Sequence, residues 1–443
     1  MKRRYRVLLI AEAANPEWVS VPLVGWSLAN ALRAVVDVHI VTQIRNKAAL
    51  ERAGLIEGQH FTAIDNEAVM KPLWKIITAI RGGQGKGWTT VSAIQSLFYP
   101  LFEREIWRRF GSKIKDHQFD VVHRITPLTP TSASLLAGRC ARAGVPFVIG
   151  PLNGGVPWPA EYRRERHKEK EWLSYVRGFY KLRRSIRQTW KKSSAIIAGS
   201  LHTASEIPEH SRDKVFYIPE NAINLKIFEN CTNKKRYDRV SLCFIGRLVP
   251  YKGADIAIEA AQDLLTSGAA DLAIIGDGPM ADELKLLAER LGLTSSITFS
   301  GWVEHARIAE HVREKSVFLF PSVREFGGGA IIEAMALGLI PVVVDYGGPG
   351  EIVTRSTGFK LEIKSRQKLI EDIRNILSDM ALGKYNLYDI SQRSLERINR
   401  LYTWDKKADQ VLELYEWVTG DRKEKPVFEF IDCEIEGTGE QKG

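Results

Sequence analysis

The sequence predicts an α/β protein with open parallel sheets, because short apolar runs alternate with helical patterns through most of its 443 residues. A strand at Val7 to Ala11 precedes a helix from about Pro22 to Ala34 and a strand at Val36 to Thr42. The C-terminal half repeats the unit with glycines between strand and helix. Such alternation predicts βαβ units in doubly wound sheets. Further N-terminal elements are predicted at Asp120 to Ile125, Thr131 to Ala143, Phe147 to Gly150 and Ala195 to Ala198.

The most informative C-terminal unit runs from Glu325 to Glu333, where two glutamates flank three glycines. Val317 to Phe320 predicts a strand before this loop, and Ala330 to Leu337 predicts a helix after it. A strand, a glycine loop and a helix aim backbone amides and a helix N-terminus at one point, which suits a phosphate. Carboxylates beside it can bind hydroxyls, so the pattern indicates a sugar joined to phosphate. The alternative is an ordinary α/β loop with two surface glutamates.

A second unit of the same kind carries two cations. The strand Leu242 to Ile245 is followed by the turn Gly246 to Gly253 and by a helical run from Ala254 to Leu265. The turn contains Arg247 and Lys252. Arginine can hold phosphate oxygens with two hydrogen bonds, and lysine adds a point charge. Together with the glutamate loop, these residues predict a diphosphate site rather than a solvated loop pair.

Four motifs follow one another in this half of the chain, and together they identify a family. They are Gly246-Arg247-Leu248-Val249-Pro250-Tyr251-Lys252-Gly253, Gly276-Asp277-Gly278-Pro279, the loop and helix from Glu325 to Gly338, and Gly347-Gly348-Pro349-Gly350-Glu351. With them the chain resembles the family-four glycosyltransferases, which are retaining group 1 enzymes of the GT-B fold. The resemblance is strong from about residue 241 to 358 and weaker before it. It implies two Rossmann-like domains facing across a cleft, and a nucleotide-sugar donor.

The resemblance also implies roles for individual residues. Arg247 and Lys252 resemble the ligands of the donor diphosphate, and Glu325 resembles the residue that holds the hydroxyls of the donor sugar. Glu333 resembles the carboxylate that binds the ribose. Amides for the donor would come from Gly327, Gly328, Gly329 and Ala330.

Three features of the N-terminal half are further candidates. His123 stands in an Asp-Val-Val-His pattern at the end of a predicted strand, where the resemblance implies a histidine facing the donor sugar. A lone histidine is otherwise usually structural. Gly25 is the single glycine where the family usually has two beneath the donor. Asn153 and Gly154 follow another strand and could frame a donor or an acceptor, although a tight turn explains them nearly as well.

Four segments are predicted along the chain. Residues 1–215 form the N-terminal, acceptor-side domain, and residues 216–402 form the nucleotide-sugar-binding domain. Residues 403–420 form a helix that returns to the first domain. Residues 421–443, with few apolar side chains and no periodicity, are predicted to be a disordered tail.

Composition limits the remaining classes. The four cysteines are far apart without paired spacing, so they predict neither disulfides nor a zinc site and favour cytoplasmic surroundings. The apolar run after the basic N-terminus is too short for a signal peptide and fits a first strand. No stretch approaches the roughly 18 apolar residues of a membrane span. No cofactor is expected, because the nucleotide sugar is itself a substrate.

A basic, aromatic segment is the other distinctive feature. Residues 163–192 contain twelve Lys or Arg against three Glu, a net charge of +9 in a chain whose total is +10. The apolar residues in it recur with helical period: Trp172, Tyr175, Phe179, Leu182, Ile186 and Trp190. This pattern fits contact with an anionic membrane, which would place the protein peripherally on the inner face, or a helix packed on the core. Binding of nucleic acid is a third reading that we do not expect.

The predicted mechanism depends partly on a missing motif. The sequence contains no Asp-x-Asp, so the usual ligands for a metal on the diphosphate are lacking and no metal site is predicted. Arg247, Lys252 and a helix N-terminus would neutralise the leaving group. The resemblance implies retention at the anomeric carbon and transfer to a saccharide or lipid-linked acceptor in cell-surface polysaccharide or glycoconjugate synthesis.

Two other classes are weighed against this one. A catalytically silent, glycosyltransferase-like scaffold would lose the charged residues, which are present here. A dinucleotide-dependent enzyme would need Gly-x-Gly-x-x-Gly after an early strand, and Gly276-Asp277-Gly278 stops short of that pattern.

Overall fold

The computed structural model describes residues 3–66, 88–162, 183–225 and 237–430, without the side chains of 88–98 and 306. In this part of the chain the strands form two parallel sheets, one of seven strands and one of six. The predicted α/β class with two sheets is confirmed.

The first sheet has the strand order β3-β2-β1-β4-β5-β6-β7. Its strands are buried on both faces, as parallel strands covered by helices usually are. In chain order the elements are β1 (Arg6–Ala11), α1 (Val21–Val35), β2 (Asp37–Gln43), α2 (Lys47–Arg52), β3 (Phe61–Ile64), α3 (Trp88–Lys115), β4 (Val121–Thr126), α4 (Leu135–Ala143), β5 (Phe147–Leu152), α5 (Arg184–Lys192), β6 (Ala195–Ala198), α6 (Leu201–Glu206) and β7 (Val215–Tyr217).

The second sheet has the order β10-β9-β8-β11-β12-β13. In chain order its elements are β8 (Val240–Ile245), α7 (Ala254–Thr266), β9 (Ala270–Ile275), α8 (Ala281–Arg290), β10 (Ile297–Gly301), α9 (Ile308–His311), β11 (Val317–Phe320), α10 (Gly329–Ala336), β12 (Ile340–Val344), α11 (Gly348–Ile352), β13 (Phe359–Leu361), α12 (Arg366–Ala381), α13 (Leu387–Leu401) and α14 (Trp404–Thr419).

Each sheet has one point where the strand order reverses direction. In the first sheet this point lies between β1 and β4, and in the second it lies between β8 and β11. In open α/β sheets, ligands bind outside the carboxyl ends of the strands at such a point, because the flanking loops part there. The second sheet therefore offers a crevice between the loop after β8 and the loop after β11.

The chain crosses between the sheets twice, and the two crossings lie side by side. The backbone amide of Ile223 donates to Tyr402 O (2.8 Å), and the amide of Trp404 donates to Ile223 O (3.3 Å). Beyond the second crossing, α14 packs against α1 of the first sheet. The first crossing begins after β7, so Val215–Tyr217 belongs to the first sheet and the predicted boundary at residue 215 falls two residues early.

The predicted disordered tail is wrong for residues 421–430. Phe430 is only 1% exposed, and its ring meets Tyr217 and Tyr402 edge-on at 5.6 and 5.7 Å. Arg397 donates to the backbone carbonyl of Phe430. The segment is ordered because two aromatic side chains, Phe428 and Phe430, supply an apolar anchor that an average over the polar tail conceals. Residues 431–443 lie outside the described part.

The basic segment is described only from residue 183 onward, so Trp172, Tyr175, Phe179 and Leu182 lie outside the described residues. Within α5, Ile186 and Trp190 are buried in the core of the first domain. The basic side chains of this helix lie on its exposed face. The end of the apolar stripe thus packs on the core. No described helix is long and apolar enough to cross a bilayer.

Candidate functional site

The carboxyl edge of the second sheet brings the predicted donor residues together. Arg247 lies on the turn after β8 and is exposed. Lys252 ends a short 3₁₀ helix, Pro250–Lys252, that leads into α7. Glu325 follows β11, the strand next to β8. The two cations and the carboxylate therefore flank the crevice at the reversal point.

Close backbone approaches explain several motif glycines on this edge. A Cβ on Gly276 would overlap the carbonyl oxygen of Gly246, and a Cβ on Gly278 would overlap that of Leu248. Gly253 has φ +75°, and a Cβ there would lie 2.6 Å from the carbonyl oxygen of Pro321. The glycine motifs pack on one another, which fixes the turns that carry Arg247 and Lys252.

The loop after β11 is held by the Gly-Gly-x-x-Glu motif. A Cβ on Gly347 would overlap Glu325 O, and a Cβ on Gly348 would lie 2.5 Å from Phe326 O. The amide of Gly348 donates to Glu325 O (3.2 Å). These contacts fix the backbone of Glu325. The Gly-Gly-x-x-Glu motif, about twenty residues further along the chain, therefore helps to set the direction of the Glu325 side chain.

Glu325 forms an ion pair with Lys252, and each side chain is 17% exposed. The ammonium of Lys252 also lies 5.0 Å from the centroid of Phe320. Because the pair is partly shielded from water, its attraction is stronger than that of a surface pair. An anion entering the crevice would compete with Glu325 for this lysine.

The glycines after Glu325 lead into α10. Gly328 caps the helix with φ +60°, where a Cβ would overlap Ile352. Gly329 and Ala330 form the first turn, whose amides have no partner within a helix. The carbonyl of Gly327 accepts a hydrogen bond of 2.9 Å from Asn221 Nδ2 on the first crossing. The free amides at this helix end are of the kind that can bind an anion, and their contact with the donor stays a prediction.

Glu333 lies one turn into α10 and is paired with a residue that sequence reasoning missed. His305 Nε2 lies 2.8 Å from Glu333 Oε1. The hydrogen bond to Glu333 raises the pKa of His305 above its ordinary value of 6.5. His305 belongs to the short helix His305–Arg307 after β10, which carries no motif, so its position depended on tertiary structure.

The predicted role of His123 is wrong, because its side chain does not face the cleft. His123 is fully buried on β4, with Nε2 2.8 Å from Gly150 O and Nδ1 2.6 Å from the hydroxyl of Tyr415 on α14. A carbonyl only accepts, so Nε2 carries the proton and Tyr415 donates to Nδ1. Burial lowers the pKa of His123 to about 4. The residue joins β4, β5 and the returning helix.

Gly25 and Gly154 have packing contacts in the structure. A Cβ on Gly25, in α1, would overlap the carbonyl oxygen of Ala13 in the loop after β1. The amide of Gly154 donates to Thr203 Oγ1 (2.9 Å). The preceding residue, Asn153, is buried at the end of β5 and lies beside Glu220. Gly25 is thus accounted for by helix packing.

Two further carboxyls at the junction of the domains were missed. Glu220, on the first crossing, is buried, and burial raises its pKa to about 7 against the opposing effects of Asn153 and Lys407. Glu351 accepts from the amide of Leu201 (3.0 Å) and from the hydroxyl of Tyr217 (2.9 Å). Burial raises its pKa to about 7 as well. Glu351 ends the quoted Gly-Gly-x-x-Glu motif, but no role was predicted for it.

The two domains also meet through a buried cation. The guanidinium of Arg324 lies between the ring of Trp158 from the first domain and that of Phe326, at 4.7 and 4.9 Å from their centroids. Its Nε donates to Val156 O (3.3 Å). Arg324 directly precedes Glu325 in the sequence, so this contact holds the backbone of Glu325 next to the domain interface.

Comparison with known proteins agrees with this geometry. Residues 229–388 match the family described as glycosyl transferases group 1. The part of the chain that carries the second sheet is therefore similar to group 1 glycosyl transferases. An uncharacterized glycosyltransferase of Methanocaldococcus jannaschii is 30% identical over 179 residues, which make up 40% of this chain and 45% of that protein. The GPI3 subunit of phosphatidylinositol N-acetylglucosaminyltransferase from Saccharomyces cerevisiae is 24% identical over 217 residues, 47% of this chain and 46% of that protein. The chain therefore spans less than half the length of these curated relatives.

Two solved structures share the fold over nearly the whole chain. Anabaena Alr3699/HepE in complex with UDP has a TM-score of 0.60 at 15% identity, covering 93% of this chain and 99% of that one. The apo form of the lipopolysaccharide outer core galactosyltransferase WaaB has a TM-score of 0.57 at 15% identity, covering 92% and 99%. The predicted GT-B fold is confirmed.

Proposed function

We propose that the chain is a group 1 glycosyltransferase that moves a sugar, with retention and without a metal ion, from a nucleotide-sugar donor to a saccharide or lipid-linked acceptor. The observation that carries the proposal is the Lys252–Glu325 ion pair at the reversal point of the second sheet, beside Arg247 and the N-terminus of α10. The ammonium of Lys252 and the carboxylate of Glu325 are in direct contact. In this proposal the ammonium binds phosphate and the carboxylate binds sugar hydroxyls.

Donor binding would redistribute the charges of this pair. The diphosphate brings negative charge to the crevice, where Lys252, Arg247 and the first turn of α10 can neutralise it. As Lys252 turns to the phosphates, Glu325 is released to accept hydrogen bonds from sugar hydroxyls. Binding of the diphosphate would thus prepare the carboxylate for the sugar. On the nucleoside side, Glu333 would accept from the ribose, with His305 positioning it.

The transfer step breaks the bond between the anomeric carbon and the phosphate oxygen. The acceptor oxygen forms its new bond on the same face, and its proton passes to the leaving phosphate. The positive groups around the diphosphate would lower the barrier, because they stabilise the charge that develops on the leaving oxygen. The sequence lacks Asp-x-Asp. In this proposal, Arg247 and Lys252 supply the positive charge that a metal ion would otherwise provide.

The acceptor class is inferred from the relatives of the chain. The curated relatives include phosphatidylinositol N-acetylglucosaminyltransferase subunits, which is in keeping with a lipid-linked acceptor. We propose a role in cell-surface polysaccharide or glycoconjugate synthesis, on the cytoplasmic face of a membrane.

Screening the full chain by thermal shift against UDP-, GDP- and ADP-sugars, followed by a turnover assay, tests the proposal. Arg247→Ala and Lys252→Ala are expected to weaken binding of the preferred nucleoside diphosphate roughly ten- to a hundredfold in calorimetric titration, since each removes a charge-assisted contact worth about 1.5–3 kcal/mol. Lys285→Ala, on the exposed face of α8, is the matched control. Unchanged affinity in both variants would show that Arg247 and Lys252 do not bind the diphosphate. Binding of a nucleotide sugar without turnover would favour a catalytically silent binding protein.

A further inference from the structure

Glu351 belongs to α11 in the second domain, but its carboxylate is held by the first domain. Oε1 accepts a hydrogen bond of 3.0 Å from the amide of Leu201, and Oε2 accepts one of 2.9 Å from the hydroxyl of Tyr217. The backbone of His202 is a further donor. Leu201 and His202 begin α6, and Tyr217 ends β7. In the described part of the chain, every hydrogen bond to this carboxylate therefore crosses between the domains.

The other end of α11 holds the loop that carries Glu325. The amide of Gly348 donates to Glu325 O (3.2 Å), and a Cβ on Gly347 would lie 2.4 Å from the same oxygen. Gly348 is the first residue and Glu351 the fourth of a helix that has only five. A single helical turn therefore joins the first domain to the backbone of Glu325.

Helix α11 also packs on the start of α10, which follows this loop. Ile352, the last residue of α11, is 2% exposed, and a Cβ on Gly328 would overlap its Cδ1 atom. The carbonyl of Ile352 accepts a hydrogen bond of 2.9 Å from Arg397 Nε. Because close-packed elements transmit strain, a shift of Glu351 would be passed to the Glu325 loop rather than absorbed within α11.

Glu103 shows what a carboxylate of this kind does within one domain. It lies on α3 and accepts from the amides of Leu135 and Leu136 at the start of α4, and from the hydroxyl of Ser134. Both helices belong to the first domain, so this contact stabilises one domain. Glu351 makes the same kind of contact between two domains, so its contact also fixes how they are placed relative to each other.

We propose that Glu351 is a positioning residue for the transfer reaction: by binding the first domain, it sets the place of Glu325 relative to the acceptor side of the cleft. The inference rests on the proposed function, in which Glu325 holds the donor sugar and the first domain binds the acceptor. A misplacement of reacting groups by about 1 Å can cost about a hundredfold in rate. Arg247 and Lys252 stand on the turn after β8, so diphosphate binding would depend little on Glu351.

The test measures turnover of the UDP-, GDP- or ADP-sugar selected by the thermal-shift screen, and calorimetric binding of the matching nucleoside diphosphate. Glu351→Ala is expected to lower kcat about tenfold or more and to leave the diphosphate Kd within about twofold of wild type. Glu351→Gln keeps an acceptor for the Leu201 amide and a group that can bond to the Tyr217 hydroxyl, so it should recover most of kcat. Tyr217→Phe removes one hydrogen bond and should give a smaller loss. Glu103→Ala is the matched control, expected to lower stability and to leave kcat within about twofold.

Hydrogen exchange of the full chain without donor gives a second readout that needs no turnover. In Glu351→Ala, the amides of 201–202 and of 325–330 are expected to exchange about tenfold faster or more, because the first pair loses its acceptor and the loop loses its support. In Glu103→Ala, faster exchange is expected at 134–137 and not in the loop.

The outcomes separate this inference from the proposed function. Equal losses of kcat in Glu351→Ala and Glu103→Ala, or unchanged exchange at 325–330 in Glu351→Ala, would overturn the positioning role. A weakened diphosphate with normal kcat would overturn it as well. Each of these results leaves the proposed function in place. Absence of wild-type turnover with every nucleotide sugar would overturn the proposed function, and the role of Glu351 in catalysis with it.

Discussion

The two glutamates of the Glu-x7-Glu pattern have different partners, although they are only eight positions apart. Glu325, on the loop before α10, pairs with Lys252, and Glu333, within α10, pairs with His305. Because their partners come from different segments, we expect the two glutamates to serve different parts of one ligand. This difference predicts that their conservative variants will fail in different ways.

Glu325→Gln is expected to lower kcat strongly with a small effect on affinity for the nucleoside diphosphate. The amide keeps the size of the side chain but loses the charge that orients hydroxyls and stabilises a developing oxocarbenium ion. Glu333→Gln is expected to do the reverse, because it weakens the ribose contact. Steady-state kinetics and diphosphate titration of both variants check the prediction. A near-normal kcat for Glu325→Gln would show that the loop is only a phosphate cradle.

Some of the candidate site residues could be predicted from local sequence motifs, and the others are recognised only from their tertiary contacts. Arg247, Lys252 and Glu325 could be predicted because each stands in a motif beside a strand end. Glu220 and His305 could not, since neither lies in a motif and both acquire partners from distant segments. His123 had the motif and the strand end, yet tertiary packing against Tyr415 removed it from the cleft.

At the scale of elements, most strands of the Rossmann units, but only about half of the described helices, could be predicted within a few residues. An apolar run followed by a glycine turn is a strong local signal for a strand. The strands β3, β7, β10 and β13 were missed. They are short or lie at or toward the edges of their sheets, where fewer apolar residues are needed. The ordered segment 421–430 was missed because it has neither period nor regular structure.

The contact between β4 and α14 predicts a pH-dependent stability. His123 is neutral when folded because burial lowers its pKa to about 4 from an ordinary 6.5. The unfolded chain therefore takes up a proton first as pH falls. The stability that His123 contributes is fully present above about pH 6.5 and is lost as pH falls toward 4.

Between pH 7 and pH 4.5 the contribution of His123 to the free energy of unfolding falls by about 2–3 kcal/mol. Unfolding by urea at the two pH values, in wild type and in His123→Asn, measures it. On acidification, the free energy of unfolding of His123→Asn is expected to fall by about 2–3 kcal/mol less than that of wild type. Glu220 and Glu351 titrate in the opposite sense, but they are common to both proteins and cancel in the difference. Parallel pH profiles would show that His123 is not buried as a neutral side chain.

The segment after α14 predicts a second effect on stability. Phe430→Ala is expected to lower the free energy of unfolding by about 3–5 kcal/mol, since it empties a buried site between two aromatic rings. Val427→Ala, at a side chain that is 82% exposed, is the matched control and should lie within about 0.5 kcal/mol of wild type. Thermal and chemical unfolding measure both. Equal midpoints for the two variants would mean that the segment is not anchored.

At the scale of the whole molecule, the interface between the domains brings together charged residues that are far apart in the sequence. Glu220, Arg324, Glu325, Glu351 and Lys407 come from distant segments and meet where the two sheets face each other. Arg324 contacts both domains through aromatic rings. The two-domain fold could be predicted from the alternation of strand and helix patterns along the chain. The charged junction could not, because its residues, apart from the neighbours Arg324 and Glu325, are far apart in the sequence.

The overall charge is also unevenly distributed, which leads to a prediction about membranes. In the described part of the basic segment, α5 buries Ile186 and Trp190 and exposes Arg184, Arg187 and Lys191. Attraction to an anionic surface would then depend on charge, at about 1 kcal/mol for each cation near the surface. Binding to vesicles should accordingly rise with their anionic lipid content and fall with added salt.

Co-sedimentation with phosphatidylcholine vesicles containing increasing phosphatidylserine measures this binding. Reversing the charge of three of the four exposed cations of α5, as Arg184→Glu, Arg187→Glu and Lys191→Glu together, is expected to lower this binding by tenfold or more. The matched control reverses three exposed cations of the second domain: Lys285, Arg290 and Arg313. Since the buried face of α5 is unchanged, thermal unfolding should be similar in both triple variants. Equal pelleting with neutral and anionic vesicles, or equal losses in the two triple variants, would contradict an electrostatic surface at this helix and leave α5 as a packing element of the first domain.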